Sequence, residues 1–311
     1  MQKLEHILYR HLNRIRRTMQ WLALLFIVFV PILNVWGFHE IIGTFYSLTI
    51  GSLNIVDPSL MLQTILLSEQ VKFGLLLAGI IPLIMALFFG KTFCSWVCPF
   101  NLLAEYTAKL RVKIFRNQTR SVNINPKPQV YWFILGGIFL LIGVLGTPLI
   151  SYFSFPGLIS AQITDTILFA TVGIEWSLII AVLLIEFFYK PRFWCKYLCP
   201  VGAVLAIPRF KNSLSVQYES KRCSVQCSAD KSESLCNTAC PFELNPRKTD
   251  IYPYCFNCGA CVYVCQNNGG HALKFTFHPE KPIHSNHKSL KQEELYKNEP
   301  SAQTTTNLQE V

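Results

Sequence analysis

Charge is scarce in this sequence. Only 15% of its 311 residues are Asp, Glu, Lys or Arg, while 51% are apolar, and the mean hydropathy is +0.33. So little charge does not suit a soluble surface of this size, and membrane spans are expected. Short cofactor motifs are also missing. There is no Cys-x2-Cys-His, which excludes covalently attached haem. There is no Gly-x-Gly-x-x-Gly after a strand and no Walker loop, so neither nicotinamide hydride transfer nor nucleotide hydrolysis is supported. No pair of histidines falls within the apolar runs, which argues against bis-histidine haem. The net charge of +10 does not point to nucleic acid, because the basic residues sit beside apolar runs. In that position they orient a membrane protein.

What the chain has in quantity is cysteine, twelve in all, and eight of these fall in the 43 residues from Cys223 to Cys265. Cys255-x2-Cys258-x2-Cys261-x3-Cys265 has the spacing that wraps three thiolates around one [4Fe–4S] cube and sends the fourth to a neighbouring cube. Cys236-x3-Cys240-Pro241 is the closing half of the same motif, and its opening, Cys223-x3-Cys227, is stretched by a residue. Crossed ligation assigns one cluster to Cys240, Cys255, Cys258 and Cys261, and the other to Cys223, Cys227, Cys236 and Cys265. Gln266 stands where a second proline is usual. Zinc and a disulfide framework are the competing uses of these residues. Zinc sites pair Cys-x2-Cys units across a long spacer, which is not the pattern here. Thiols in this number, in this motif, imply a compartment that keeps them reduced.

The charge pattern sets the expected topology. Residues 1–20 carry five Lys/Arg against one acid, Glu5, and lead into an apolar run over 21–38. No small-x-small cleavage site follows, so this run is expected to be an uncleaved first span, kinked at Pro31. Residues 39–71 contain no Lys or Arg, and SLNIVDPSLMLQTIL within them is expected to be a short helix at the far interface. Further spans are expected near 72–90, 130–150 and 173–189. The connection 91–128 holds seven Lys/Arg, and 151–172 has none. That alternation predicts four spans with both termini in the cytoplasm. The apolar stretch 155–170, with Pro156 and Gly157, is expected to be re-entrant or interfacial. Residues 209–277 are expected to form a small cytoplasmic domain that depends on its clusters for stability. Residues 278–311 are polar and are expected to be a disordered tail.

The remaining four cysteines mark an internal repeat. FFGKTFCSWVCPFNLL from Phe88 and FFYKPRFWCKYLCPVGAVL from Phe187 share Phe-Phe-x-Lys, Cys-x3-Cys-Pro and a following apolar helix. Each unit is two spans and a cysteine pair in the same orientation, which implies a pseudo-twofold along the membrane normal. Cys94, Cys98, Cys195 and Cys199 are therefore expected to meet. They jointly hold a metal or a third iron–sulfur centre, or they are packed or redox-active thiols. Interface anchoring accounts for the flanking aromatics Phe93, Trp96, Phe193, Trp194 and Tyr197.

The two Cys-x3-Cys-Pro motifs after spans two and four, followed by a two-cluster ferredoxin segment, resemble the NapH family over about residues 15–277. The resemblance implies a mainly α fold, a four-transmembrane-helix bundle with a cytoplasmic two-[4Fe–4S] domain, in the bacterial inner membrane. It implies the quinol dehydrogenase component of periplasmic nitrate reductase systems, passing electrons from membrane quinol toward the reductase. A periplasmic iron–sulfur partner of the NapG type completes that route, and the component is expected to be active only with such a partner. An assembly factor that reduces metal or thiols for a partner reductase, using the Cys-x3-Cys-Pro thiols directly, is the alternative. A quinol site also needs a proton acceptor, and the candidates are Glu186 and Glu175, near the inner and outer ends of the fourth span, and His39, Glu40 and Asp57 at the outer interface.

Overall fold

The computed structural model describes residues 2–37, 39–68, 72–115, 127–208, 213–219, 223, 235–247, 251–267 and 272–277. Cys227, His271 and the tail 278–311 lie outside them. The first helix, α1 (Gln2–Val35), runs through Pro31. Leu12, Arg16, Gln20, Ile27 and Val30 recur at helical spacing on its buried face. Leu22, Phe26, Phe29 and Leu33 are exposed on a different face. Polar groups inside and large apolar groups outside invert the pattern of a soluble helix.

A three-stranded antiparallel meander follows, β1 (Ile41–Gly43), β2 (Ser47–Ile50) and β3 (Leu53–Val56). Its first turn requires glycine: Gly43 has φ +128°, and a Cβ there would lie 2.0 Å from the Ser47 carbonyl oxygen. Asp57 then caps α2 (Pro58–Ser68), accepting from the Ser59 N–H at 2.9 Å and the Ser59 hydroxyl at 2.8 Å. The expected interfacial helix over 52–66 is thus a strand over Leu53–Val56 and a helix only from Pro58. Nor does α2 lie apart, because it packs on the short helix that follows Cys199.

The chain continues through α3 (Phe73–Phe89), α4 (Thr92–Trp96), α5 (Pro99–Ile114), α6 (Pro128–Leu145), α7 (Leu149–Phe153), α8 (Phe155–Phe169) and α9 (Glu175–Phe188). A π-helical turn, Trp194–Leu198, precedes α10 (Pro200–Val204). Helices α1, α3, α6 and α9 fall on the four apolar runs. Two segments, His11–Val35 and Pro128–Leu145, are long and apolar enough to cross a membrane. Helix α9 has 14 residues, about 21 Å of rise, against roughly 30 Å of hydrocarbon core. Helix α8 is buried through Phe155, Leu158, Ile159, Ser160 and Gln162 and packs between α1 and α9.

The C-terminal cysteine segment adds β4 (Ser215–Tyr218), α11 (Leu235–Thr238), α12 (Ala260–Asn267) and β5 (Leu273–Thr276). Strands β4 and β5 pair antiparallel, with Ser215 opposite Thr276 and Tyr218 opposite Leu273, and so close the two ends of the segment together. One buried cluster runs from the helices into this segment, through Phe100, Tyr131, Phe155, Trp194, Phe242 and Phe256.

Glu105 on α5 ties the elements around the second cysteine pair. It meets Arg16 of α1 at 2.9 Å, Arg192 at 3.6 Å, and Lys109 and Arg17 at 3.7 Å. Burial alone would raise its carboxyl; Arg16, Arg192 and Lys109 outweigh that and hold it below the ordinary value. This contribution is complete above the unfolded carboxylate value of about 4.3. It is lost as the pH falls through the lower folded value. Glu105→Gln leaves Arg16 and Arg192 buried without their anion and is expected to cost about 3–5 kcal/mol. Thermal unfolding in detergent measures it, and the gap between variant and parent should close on acidification.

Candidate functional site

Each cysteine pair is built by the same local rule. Proline at 99 and at 200 starts a helix at a position where its missing N–H costs nothing. The preceding cysteine is pushed to extended backbone, and Cys98 (φ −62°, ψ 121°) and Cys199 (φ −67°, ψ 114°) adopt nearly the same conformation. The Cys98 N–H bonds to the Phe93 carbonyl at 3.1 Å and the Cys199 N–H to the Trp194 carbonyl at 3.0 Å, the same five-residue step in both repeats. Cys94 sits inside α4 and Cys195 inside the π-helical turn.

The structure brings these four residues together. Cys94, Cys98, Cys195 and Cys199 belong to one buried cluster, and each sulfur acts electrostatically on others of the set. Their surroundings are positive. Sulfurs of Cys98 and Cys199 feel the N–H groups of Phe100 and Asn101, and of Val201 and Gly202, at the starts of α5 and α10, without a formal cap hydrogen bond. Helix N-termini favour negative charge. The Lys91 ammonium, 3% exposed, acts on Cys94, Cys199, Cys195 and also on Cys255 of the C-terminal segment.

That last contact reflects a docked interface. The Ser95 hydroxyl donates to the Phe256 carbonyl at 2.7 Å, and the Trp96 indole to the Asn257 carbonyl at 3.2 Å. The Asn257 amide returns to the Phe89 and Leu214 carbonyls at 3.1 and 2.8 Å. In the second repeat, Lys196 donates to the Phe242 carbonyl at 2.9 Å and Lys190 pairs with Glu243 at 3.1 Å. Phe242 and Phe256 stack with centroids 4.1 Å apart at 5°. Lys91 lies over the Phe256 ring at 4.7 Å.

Cys240, Cys255, Cys258 and Cys261 line one apolar cavity with Phe242, Leu244 and Ile251. Burial pushes the Cys240 thiol up to about 12, so metal binding there must release a proton. The Leu244 N–H reaches the Cys240 sulfur at 3.4 Å. Cys236, Cys261 and Cys265 share a second buried cluster with the partly buried Cys223, where Arg247 and Tyr218 engage Cys236 and Cys223. Among the described residues, no three His, Cys, Asp or Glu side chains are placed to hold a single ion. The thiols ring a cavity instead. Thiols from separate turns, an apolar wall and backbone donors suit a multi-iron cluster better than a zinc tetrahedron with sulfurs about 3.8 Å apart.

Several of these groups escaped sequence reasoning. Trp96 and Trp194 are not interface anchors: Trp96 grips the C-terminal segment, and Trp194 stacks on Phe153 at 5.6 Å in the core. Glu186 is 2% exposed and accepts the Trp194 N–H at 3.0 Å, which steadies the second cysteine turn; its other carboxylate oxygen makes no hydrogen bond. Asp57, at the start of α2, acts electrostatically on Cys94, Cys98 and Cys199, and Phe45 of the meander meets the Phe93 ring at 5.8 Å, one residue before Cys94. The shared Phe-Phe-x-Lys was the available signal for Lys91.

The 4Fe-4S binding domain family matches residues 71–118 and 172–213. Those ranges hold the two Cys-x3-Cys-Pro turns and leave out 223–265. The ferredoxin-type protein NapH of Escherichia coli is 25% identical over 266 residues, 82% of this chain and 86% of the relative. The chain resembles the NapH-like ferredoxin-type proteins over most of its length. Other relatives share the scaffold. The methylamine utilization ferredoxin-type protein MauN of Methylorubrum extorquens is 28% identical over 254 residues, 81% of this chain and 73% of the relative. The putative electron transport protein YccM of E. coli is 27% identical over 241 residues, 76% of this chain and 60% of the relative. No solved structure matches. Iron–sulfur electron transfer is the role this family supports.

The placement of the eight later cysteines has a direct test. Cys240→Ser and Cys258→Ser are expected to remove the same EPR signal of the reduced protein, and Cys236→Ser and Cys265→Ser the other. Loss of one common signal from Cys236→Ser and Cys240→Ser would reverse the assignment.

Proposed function

We propose that this protein is a membrane electron-transfer subunit that takes electrons from quinol and passes them through iron–sulfur centres toward a periplasmic reductase. The observation that carries the reading is the docked interface. Ser95, Trp96 and Lys196 bond to the Phe256, Asn257 and Phe242 carbonyls, and the buried Lys91 ammonium lies over the Phe256 ring, so the paired-cysteine turns and the cysteine loops of the C-terminal segment are neighbours.

On this reading α1, α3, α6 and α9 are four spans with both termini in the cytoplasm. Their outward faces support it: α3 exposes Phe73, Ile84 and Phe88, α6 exposes Phe133 and Val144, and α9 exposes Ile180 and Leu184. Apolar side chains exposed all round a helical body fit lipid. Cys240, Cys255, Cys258 and Cys261 hold one [4Fe–4S] cluster, and Cys223, Cys227, Cys236 and Cys265 the other. Cys94, Cys98, Cys195 and Cys199 hold a third centre, a use favoured by the family match to both turns and by their positive surroundings. Bound clusters supply one-electron acceptors for a two-electron donor. The chain supplies the rest. Ser95 and Lys196 fix the distance between sites, apolar walls exclude water, and Lys91 stabilises added negative charge.

The resemblance to NapH points to nitrate reductase, through a NapG-type partner, as the outlet. A relative named for methylamine utilization uses the same scaffold, so the outlet is a property of the partner. Assembly of a partner reductase is the second reading, favoured by the four thiols gathered without disulfide bonds at the paired turns. It requires the thiols to react directly, and four metal-bound thiolates would not.

Iron and acid-labile sulfide per anaerobically purified chain test the proposal, with EPR before and after adding quinol. About twelve irons are expected, with signals that appear on adding quinol. Replacing Cys94 and Cys195 together by Ser should lower the count to about eight. Eight irons in the parent would remove the third centre, and silence toward quinol would favour assembly. Glu186→Gln separates two roles. Loss of third-centre iron with the rate per iron unchanged assigns Glu186 to positioning the Cys195 turn. Full iron with quinol-driven reduction slowed tenfold or more makes it the proton acceptor.

A further inference from the structure

Where α1 meets α5, the fold gathers more positive charge than it neutralises. Arg16, Arg17, Lys109 and Arg192 converge on the single carboxylate of Glu105. Four cations against one anion leave three charges in excess. The buried Arg16 and Arg192 take the carboxylate at 2.9 and 3.6 Å. Arg17 and Lys109 stand 3.7 Å away, beyond hydrogen-bonding distance, with side chains 37% and 43% exposed. Partial burial and the neighbouring Arg17 hold the Lys109 ammonium below its ordinary value. Cations stacked in this way lack an anion on their outer side.

The excess is presented on an ordered surface. On α1, Arg14, Arg17 and Trp21 recur at i, i+3 and i+7 and share a face. On α5, Tyr106, Lys109, Leu110 and Lys113 recur at i, i+3, i+4 and i+7, and all four are exposed. The Trp21 and Tyr106 rings meet edge to face with centroids 6.3 Å apart, which joins the two stripes into one surface. Along α1 the chemistry then changes in a fixed order. Arg17 is one turn before Trp21, about 6 Å of rise. After Trp21 the exposed side chains are Leu22, Leu25, Phe26 and Phe29. Cation, amphipathic ring and apolar stripe follow the order of headgroup, interface and acyl chains in a lipid leaflet. The apolar stripe belongs to the segment His11–Val35, long and apolar enough to cross a membrane, so the anion that meets Arg14 and Arg17 lies where headgroups begin.

We propose that Arg14, Arg17 and Lys109, beside the Trp21 and Tyr106 rings, bind an anionic phospholipid, with its headgroup on the cations and its acyl chains along Leu22 and Leu110. The inference rests on the membrane placement of α1 proposed above and is independent of the quinol reading.

The test uses the full chain in bilayers of phosphatidylcholine that contain phosphatidylglycerol, with one lipid or the other brominated near the top of its acyl chains. Bromine quenches tryptophan on contact, and the difference between the parent and Trp21→Phe isolates the Trp21 signal. Brominated phosphatidylglycerol is expected to quench Trp21 more than brominated phosphatidylcholine at the same mole fraction. Arg17→Gln with Lys109→Gln should weaken that preference by about fivefold for each charge removed. Arg14→Gln with Lys113→Gln, at exposed positions away from Glu105, should act in the same direction, so a folding defect in the first pair does not decide the matter. Lys72→Gln with Lys274→Gln removes the same charge elsewhere and should leave the preference unchanged. Equal quenching by both lipids in the parent, or a parent-level preference in both folded pairs, overturns the proposal and leaves this surface to an acidic protein partner. Loss of the preference on adding excess inorganic phosphate also overturns it, in favour of a free anion. Quenching by neither lipid puts Trp21 outside the bilayer, and the membrane placement of α1 then fails as well.

Discussion

A single buried cation sets the terms for this structure. Lys91 is almost fully enclosed, with its ammonium hydrogen-bonded to the Tyr131 hydroxyl and lying over the Tyr131 and Phe256 rings. Rings and a phenol offset part of the cost of removing an ammonium from water, but a buried charge is tolerated only beside opposite charge. The anions within its reach are sulfur: Cys94, Cys199, Cys255 and Cys195. Neutral thiols do not balance it, and metal-bound thiolates do. The residue that makes the interface expensive without metal is therefore the one that makes it stable when metal is held on both sides.

The duplication explains how the interface is made. Ser95 and Lys196 occupy equivalent places in the two repeats, one residue after the first cysteine of each pair, and each donates to a carbonyl of the C-terminal segment. Trp96 and Tyr197 are equivalent in the same way; one bonds to the Asn257 carbonyl and the other meets the Tyr254 ring at 5.8 Å. Their partners are also a pair, because Phe256 follows Cys255 and Phe242 follows Cys240-Pro241. Two copies of a turn present two sockets to a segment that carries two copies of a cysteine loop. The symmetry is broken in the charges. Lys91 is buried between the sites, whereas the matching Lys190 is half-exposed and pairs with Glu243.

The spacing of the cysteines and the repeat around the two pairs carried most of what could be known without coordinates, because both are local in sequence. What was not legible depended on which segments return to the core. Residues 39–68 and 149–169 have almost no charge, and loops without Lys or Arg read as lying at the far surface. Their polar groups are instead paired inside. Asp57 is bonded by Ser59 and Ser154, and Gln63 accepts the Ile150 N–H at 2.7 Å. Irregular backbone is tolerated at depth where protein covers it in this way. Tryptophan misleads for a related reason. At Trp96 and Trp194 composition suggests an interface belt, but the partners are a carbonyl and a phenylalanine ring far away in sequence.

These contacts also order the redox sites. Both docking loops, around Cys240 and around Cys255, come from the cysteine set ringing one cavity. The other set, with Cys223, Cys236 and Cys265, lies beyond it against Tyr9 of α1, Val216 of β4 and Leu273 of β5. The two cysteine sets meet at Cys261, which lines the cavity and also packs in the second cluster of buried residues, so one well-made junction with the paired turns serves both. Lys91, Ser95 and Lys196 are all spent on that junction. The meander, pinned to α8 by the Phe45 N–H on the Ser160 hydroxyl, reaches the first paired turn through Phe45 against Phe93. The paired cysteines therefore share their electrostatic surroundings with Asp57 and, through Lys91, with Cys255 of the C-terminal segment, so a change of charge at any one of these groups is felt by the others.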